Sequence, residues 1–158
     1  MKMSTELKKG SKAPDFSGVC DGDKSIKLSS FNGKNVILYF YPKDDTPGCT
    51  KESCEFRSAN DDFLEHETII LGVSKDSVAR HNKFKEKYNL PFLLVSDESG
   101  KICEAYGVWR EKKNYGKTYM GIERSTFLID KKGVIQKVWR KVRVNGHVNA
   151  VMDEVTQL

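Results

Sequence analysis

The stretch Val36-Ile37-Leu38-Tyr39-Phe40-Tyr41 is a continuous apolar and aromatic run that ends at Pro42. Such a run predicts a strand covered on both faces, as in the middle of a sheet flanked by helices. A polar turn follows, after which Thr46 can cap a helix that starts at Pro47 and runs to about Glu65. The chain is therefore expected to turn from a central strand directly into a long helix.

Strand and helix patterns continue to alternate after this junction, which is typical of the α/β class. The closing hairpin adds antiparallel strands, so a three-layer α/β/α sandwich with a mixed central sheet is expected. The further elements predicted are a strand at 68–74, a helix from a cap at Asp76 or Ser77 through Lys87, a strand at 92–95, a helix at 100–106, a hairpin of 126–129 with 134–139, and a helix at 147–157.

The bulk composition describes one soluble domain spanning residues 1–158. No apolar stretch approaches the roughly 20 residues of a membrane span, and residues 1–6 contain no apolar run of the kind found in secretory signals. A cytoplasmic protein without membrane contact is expected. The net charge of +5 is scattered rather than gathered into a basic stripe, which argues against nucleic-acid binding.

Four cysteines, at positions 20, 49, 54 and 103, show neither a C-x-x-C pair nor a zinc-finger spacing. Zinc is therefore disfavoured, and no metal site is predicted. A cytosolic chain is kept reduced, so persistent structural disulfides would be unusual. The cysteines are expected to serve chemistry or simply to pack in the core.

Cys49 falls in the first turn of the predicted helix, where free N–H groups and the helix dipole favour a negative sulfur. A thiolate is the attacking form of cysteine, so the position suits a nucleophile. Thr46 supplies a hydroxyl for a bound oxygen, and Pro42 is expected to shield the sulfur from bulk water. The alternative is an ordinary buried cysteine beside an ordinary helix cap.

Cys54 follows five residues later, which in an intact helix places the two Cα atoms about 9 Å apart. A disulfide needs a Cα separation of roughly 4.4 to 6.8 Å. If Cys49 and Cys54 bond, the start of the helix must unwind, so reduced and oxidised backbones are expected to differ. The alternative for Cys54 is a small core residue on the helix face.

At these residues the chain resembles the peroxiredoxin family, in its bacterioferritin-comigratory-protein or PrxQ branch, over nearly its whole length. Residues 39–50 carry the active-site motif Pro-x-x-x-Thr-x-x-Cys, and residues 54–57 continue it as CEFR. Gly10 with residues 13–16 is similar to the family's opening, and residues 115–127 are similar to its late arginine-bearing strand.

The resemblance implies a thioredoxin-like fold and a thiol-dependent peroxidase that reduces hydrogen peroxide and organic hydroperoxides. It implies that Cys49 becomes a sulfenic acid, that Cys54 resolves it as an intramolecular disulfide, and that Pro42, Thr46 and Arg124 complete the pocket. A fixed guanidinium would stabilise the thiolate and the charge that develops as the O–O bond breaks. Thioredoxin or a similar dithiol protein is the implied reductant, no metal, flavin or haem is required, and the branch is often monomeric.

Two other functions remain open from the sequence, a protein thiol-disulfide oxidoreductase and a redox sensor that switches a surface. The first usually carries C-x-x-C, and the spacing here is longer. Cys20 and Cys103 match no active-site motif, although either could be an alternative resolving partner. The histidines His66, His81 and His147 lie in apparently solvated helical contexts, so surface roles are expected for all three.

Overall fold

The computed structural model describes residues 6–158; the first five residues, part of the segment expected to lack a secretory signal, lie outside them. Four α-helices and nine strands follow one another along the described chain. Their bounds are β1 Ser17–Cys20, β2 Ser25–Lys27, β3 Asn35–Phe40, α1 Pro47–Glu65, β4 Thr68–Ser74, α2 Val78–Tyr88, β5 Leu93–Ser96, α3 Lys101–Ala105, β6 Trp109–Asn114, β7 Lys117–Ile122, β8 Ser125–Ile129, β9 Ile135–Trp139 and α4 His147–Val155.

Seven of the strands form one sheet in the order β2-β1-β5-β4-β3-β8-β9. The strands β3, β4 and β5 run parallel, whereas β8 pairs antiparallel with both β3 and β9. The predicted mixed sheet, its central strand and its closing hairpin are therefore confirmed. Parallel strands with both faces covered read as unbroken apolar runs, which is why β3 and β4 could be found from sequence.

The two faces of the sheet carry separate parts of the core, divided by the alternation of side chains along β3. Ile37 and Tyr39 point toward α1, α2 and α4, while Leu38 and Phe40 point toward α3 and the segments around β2. The three-layer arrangement is thus confirmed. The layer containing α3 is thin, because that helix has only five residues.

Three strands, β1, β2 and β6, were not predicted from the sequence, and β7 was expected only as part of a longer strand. The strands β1 and β2 are three or four residues long, and most of their residues are exposed or half-buried. The strands β6 and β7 pair only with each other and project outward, so they have little apolar signal. The stretch 115–127, expected as one strand, is divided into β7 and β8, with Arg124 between them.

A close approach between β4 and the side chain of Tyr39 helps to position α1. A Cβ atom on Gly72 would lie 2.9 Å from the Tyr39 ring, so glycine is needed where the ring crosses β4. From there the Tyr39 hydroxyl reaches Ser53 of α1 at 2.9 Å. Within residues 6–158, no helix is long and apolar enough to cross a membrane.

Candidate active site

The loop between β3 and α1 lies at the carboxyl edge of the three parallel strands, the edge at which open α/β sheets hold their ligands. In the antiparallel pairing of β3 with β8, Phe40 faces Ser125. Arg124 immediately precedes that residue, so the register places it beside the end of β3. The sheet therefore brings Arg124 to the loop although more than seventy residues separate them in sequence.

Cys49 lies in the first turn of α1 with 1% of its surface exposed. The guanidinium of Arg124 donates to its sulfur, with 3.3 Å between Nη2 and Sγ. Helix geometry leaves the amides of Gly48 and Cys49 without an intrahelical acceptor. A fixed cation thus contacts a buried thiol in the first turn of a helix, an arrangement that stabilises negative charge.

Thr46 occupies the cap position of α1, as predicted, but its side chain does not cap the helix. Its hydroxyl instead donates back to the carbonyl of Lys43 at 2.9 Å. The hydroxyl proton is thereby used, while the oxygen lone pairs stay available to accept from a bound hydroxyl or hydroperoxide. Pro42 lies exposed at the start of the same loop.

Glu52 is a site residue that was missed from the sequence. Its side chain is 0% exposed, and Oε1 accepts from Nη1 of Arg124 at 2.7 Å. Burial raises the pKa of Glu52 to about 7, and the charge of Arg124 opposes this rise. The signal was present, because Glu52 follows Cys49 by three residues and so shares its face of the helix. Arg124 therefore bridges an acid and a thiol on one helix face.

Two histidines that were expected at the surface are buried, and that expectation was wrong. His147 is 5% exposed and its Nε2 lies 2.8 Å from the hydroxyl of Thr126. Burial, helped by the charge of Arg124, lowers the pKa of His147 to about 4, so the ring is neutral at neutral pH. His81 is 0% exposed, and His66 alone is exposed as predicted. Both errors arose because helical sequence context does not show which face a distant carboxylate or hydroxyl will meet.

All four cysteines are free thiols in this structure. Cys54 is half-buried and lies on the same unbroken helix as Cys49, so the predicted separation by helical geometry applies. Cys20 and Cys103 are both fully buried. Burial raises the pKa of Cys20 to about 11 and raises that of Cys103 further, so both thiols stay protonated at neutral pH. Both are packed in the core, which is one of the two roles expected for the cysteines of this chain.

The fold and this thiol site agree with the family whose sequence model the chain matches. Residues 9–138 match the model of the AhpC/TSA family. The chain belongs to that family, and the match covers the loop, Cys49, Cys54 and Arg124.

Comparison with individual relatives shows to which type of protein within this family the chain is similar. It is 58% identical over 139 residues to the peroxiredoxin Bcp of Bacillus subtilis, covering 88% of each chain. A crystallised variant of PrxQ from Xylella fastidiosa is 35% identical over 98% of each chain, with a TM-score of 0.92. A structure described for the alkyl peroxide reduction activity of the bacterioferritin comigratory protein of Xanthomonas campestris is 41% identical over 90% of each chain, with a TM-score of 0.86. The chain is a peroxiredoxin of the Bcp/PrxQ type, an enzyme that reduces hydroperoxides at the expense of a thiol reductant.

Proposed function

We propose that Cys49 is the peroxidatic residue of this enzyme. Its thiolate attacks the terminal oxygen of a hydroperoxide, so that an S–O bond forms while the O–O bond breaks. The leaving oxygen takes up a proton and departs as water or alcohol, and Cys49 becomes a sulfenic acid. The contact of 3.3 Å between Arg124 and the sulfur carries this proposal, because it places a permanent cation at the reacting atom.

The surrounding groups have separate roles in the proposed first step. The free amides at the start of α1 and the guanidinium of Arg124 stabilise charge on the sulfur and on the departing oxygen. The oxygen of Thr46 accepts from the hydroperoxide, because its own proton is held by Lys43. Pro42, at the start of the same loop, limits access of bulk water.

Cys54 is proposed as the resolving residue. Its thiol condenses with the sulfenic acid, so that an S–S bond forms and water leaves. Helical geometry keeps the two Cα atoms about 9 Å apart, beyond disulfide range, so the first turns of α1 must open before the bond forms. A half-buried position suits Cys54 for this role, since it is already near the surface when the helix opens.

Thioredoxin or a similar dithiol protein is proposed to reduce the disulfide. The proposed substrates are hydrogen peroxide and organic hydroperoxides. The alkyl peroxide activity named for the Xanthomonas campestris relative supports the organic substrates.

We further propose that the chain works as a one-domain monomer in the cytoplasm. Sedimentation or light scattering of the reduced protein tests the monomer.

A trapping experiment tests the two cysteines. Cys54→Ser should react once with peroxide and hold Cys49 as a sulfenic acid that a dimedone reagent captures, whereas Cys49→Ser should consume no peroxide. Cys103→Ser serves as the matched control and should behave as wild type. Peptide mapping of oxidised wild type should find a Cys49–Cys54 bridge; a Cys49–Cys103 bridge would refute the resolving role.

A turnover assay of the wild-type protein distinguishes the proposed peroxidase from the two alternative functions. Catalytic amounts supplied with thioredoxin, its reductase and NADPH should consume many equivalents of peroxide. A redox sensor would react once and stop, and a protein thiol-disulfide oxidoreductase would instead reduce insulin disulfides.

A further inference from the structure

A buried histidine and aspartate join the active-site loop to α2. Asp44 lies in the loop between Pro42 and Thr46 and is 2% exposed. His81 lies on α2, is 0% exposed, and its Nδ1 is 2.6 Å from Oδ2 of Asp44. A charged or polar pair this deeply buried is costly unless every polar atom has a partner.

Every polar atom of the pair does have a partner. Nε2 of His81 lies 3.0 Å from the carbonyl oxygen of Val95, which can only accept, so Nε2 carries a proton. Oδ1 of Asp44 accepts from the hydroxyl of Tyr41 at 2.6 Å. The contacts match a ring that donates from both nitrogens, with Asp44 accepting at both carboxylate oxygens. These hydrogen bonds fix the orientation of both side chains.

Asp76 comes close to this pair but does not turn it into a metal site. One ligand atom each from Asp44, Asp76 and His81 lie within 4.8 Å of one another. The carboxylate of Asp76 already accepts from Ser74, from Arg80 and from the amide of Asp44. Since these oxygens and ring nitrogens are used within the protein, the cluster is a hydrogen-bond network.

The loop is attached to α2 at a second point. Asp45 has a positive φ of 58°, and its carboxylate accepts from Lys87 and from the hydroxyl of Tyr88, each at 2.8 Å. These outer bonds are exposed and individually weak. The buried bond of Asp44 to His81 is the stronger attachment, because it is shielded from water and charge-assisted.

We propose that His81 is a positioning residue for the peroxidase reaction, acting through Asp44. By fixing Asp44 it fixes the loop on either side, which sets Thr46 and the start of α1 relative to Arg124. His81 touches neither the sulfur nor the peroxide. This inference rests on the proposed function of Cys49.

The test compares His81→Gln with Val155→Ala, which trims a buried residue near Asn35, at the opposite end of β3 from the active-site loop. Glutamine carries both of its N–H donors on one nitrogen, so it cannot reach Asp44 and Val95 from two separate atoms as the ring does. The second-order rate of Cys49 oxidation should fall about 10- to 100-fold in His81→Gln, since misplacement by about 1 Å can cost a hundredfold. Val155→Ala should lose stability but keep the rate within about threefold. Equal losses of rate at equal stability would overturn the proposal.

Substitutions at Asp44 show whether the oxidation rate depends on the hydrogen bonds of this side chain or on its charge. Asp44→Asn can still accept from Tyr41 and donate to a neutral ring, so its rate should fall much less than that of Asp44→Ala, which should match His81→Gln. By nitrogen-15 NMR, wild type should show protons on both ring nitrogens of His81 and Asp44→Asn only one. A neutral ring in wild type, or an equal loss in both Asp44 variants, contradicts the assignment.

A readout independent of activity separates this inference from the proposed function. Amide hydrogen exchange over residues 42–50 should accelerate in His81→Gln and not in Val155→Ala. Faster exchange with an unchanged oxidation rate would show that His81 anchors the loop but that this anchoring does not affect the reaction of Cys49. That result would also overturn the positioning role. If Cys49→Ser kept peroxidase activity, the proposed function would fail, whatever the exchange data.

Discussion

Gly48 lies against the guanidinium of Arg124, so that a Cβ atom at position 48 would be 3.2 Å from Nη2. The same nitrogen donates to the sulfur of Cys49. The side chain at position 48 therefore controls how closely the cation can approach the thiol, although Gly48 itself carries no chemical group.

Gly48→Ala should lower the second-order rate of peroxide reduction by up to about tenfold, because the added methyl group moves Nη2 by a few tenths of an ångström. Stopped-flow oxidation at several peroxide concentrations measures this. The loss should not add to that of Arg124→Lys, since both changes act on one contact. Additive losses in the double variant would show that Gly48 acts by another route.

Glu52 should make the stability of the reduced protein depend on pH. Burial raises its pKa to about 7 in the folded protein from an ordinary 4.5, so the folded protein holds this proton more tightly than the unfolded chain. The resulting contribution to stability is fully present below about pH 4.5 and is lost as pH rises through about 7.

In Glu52→Gln this loss should be absent, so the difference in free energy of unfolding between wild type and variant should change by about 1 to 3 kcal/mol between pH 5 and pH 8. Urea titrations at four pH values measure it. Glu65→Gln, at the exposed end of the same helix, is the control and should give a profile parallel to wild type. A parallel profile for Glu52→Gln would contradict the assigned shift.

Tyr39→Phe should speed disulfide formation after Cys49 is oxidised. The hydroxyl of Tyr39 is bonded to Ser53, next to Cys54, and losing one buried hydrogen bond costs about 1 to 2 kcal/mol. If opening of α1 limits the rate, that step should accelerate about fivefold or more. Rapid-quench thiol alkylation measures it. Tyr106→Phe, which loses a partly buried bond to the carbonyl of Pro14, should leave the rate unchanged.

Oxidation should loosen the start of α1 specifically. Because the disulfide cannot form across an intact helix, amides of residues 47–54 should exchange faster in the disulfide form than in the reduced form. The distant half of the helix, residues 58–65, provides an internal reference and should keep its protection. Equal protection of residues 47–54 in both forms would require another pairing of cysteines.

The central strand, the long helix and Cys49 could be predicted because their signals are local. A continuous apolar run, a proline at a helix start and a motif of eight residues each lie within one window of sequence. The short strands β1 and β2, at one end of the sheet, could not be predicted, because their residues are mostly exposed or half-buried and the pairing energy comes from neighbours in space.

The charged partners in the active site could not be predicted from sequence spacing, because only the fold brings them together. Glu52 meets Arg124 across 72 residues, and His81 meets Asp44 across 37. A histidine among polar helical residues looks solvated until the sheet brings a carboxylate to it. Arg124 was assigned to the pocket by family resemblance, since its spacing from Cys49 carries no information on contact.

The two proposed redox cysteines differ in burial in the reduced protein, where Cys49 is 1% exposed and Cys54 is half-buried. If the disulfide form with its opened helix keeps this difference, a large dithiol protein reaches the sulfur of Cys54 more readily than that of Cys49. Its first mixed disulfide should therefore form at Cys54. Cys49 is then the departing sulfur, and the guanidinium that assisted its attack on peroxide also stabilises it as a leaving group.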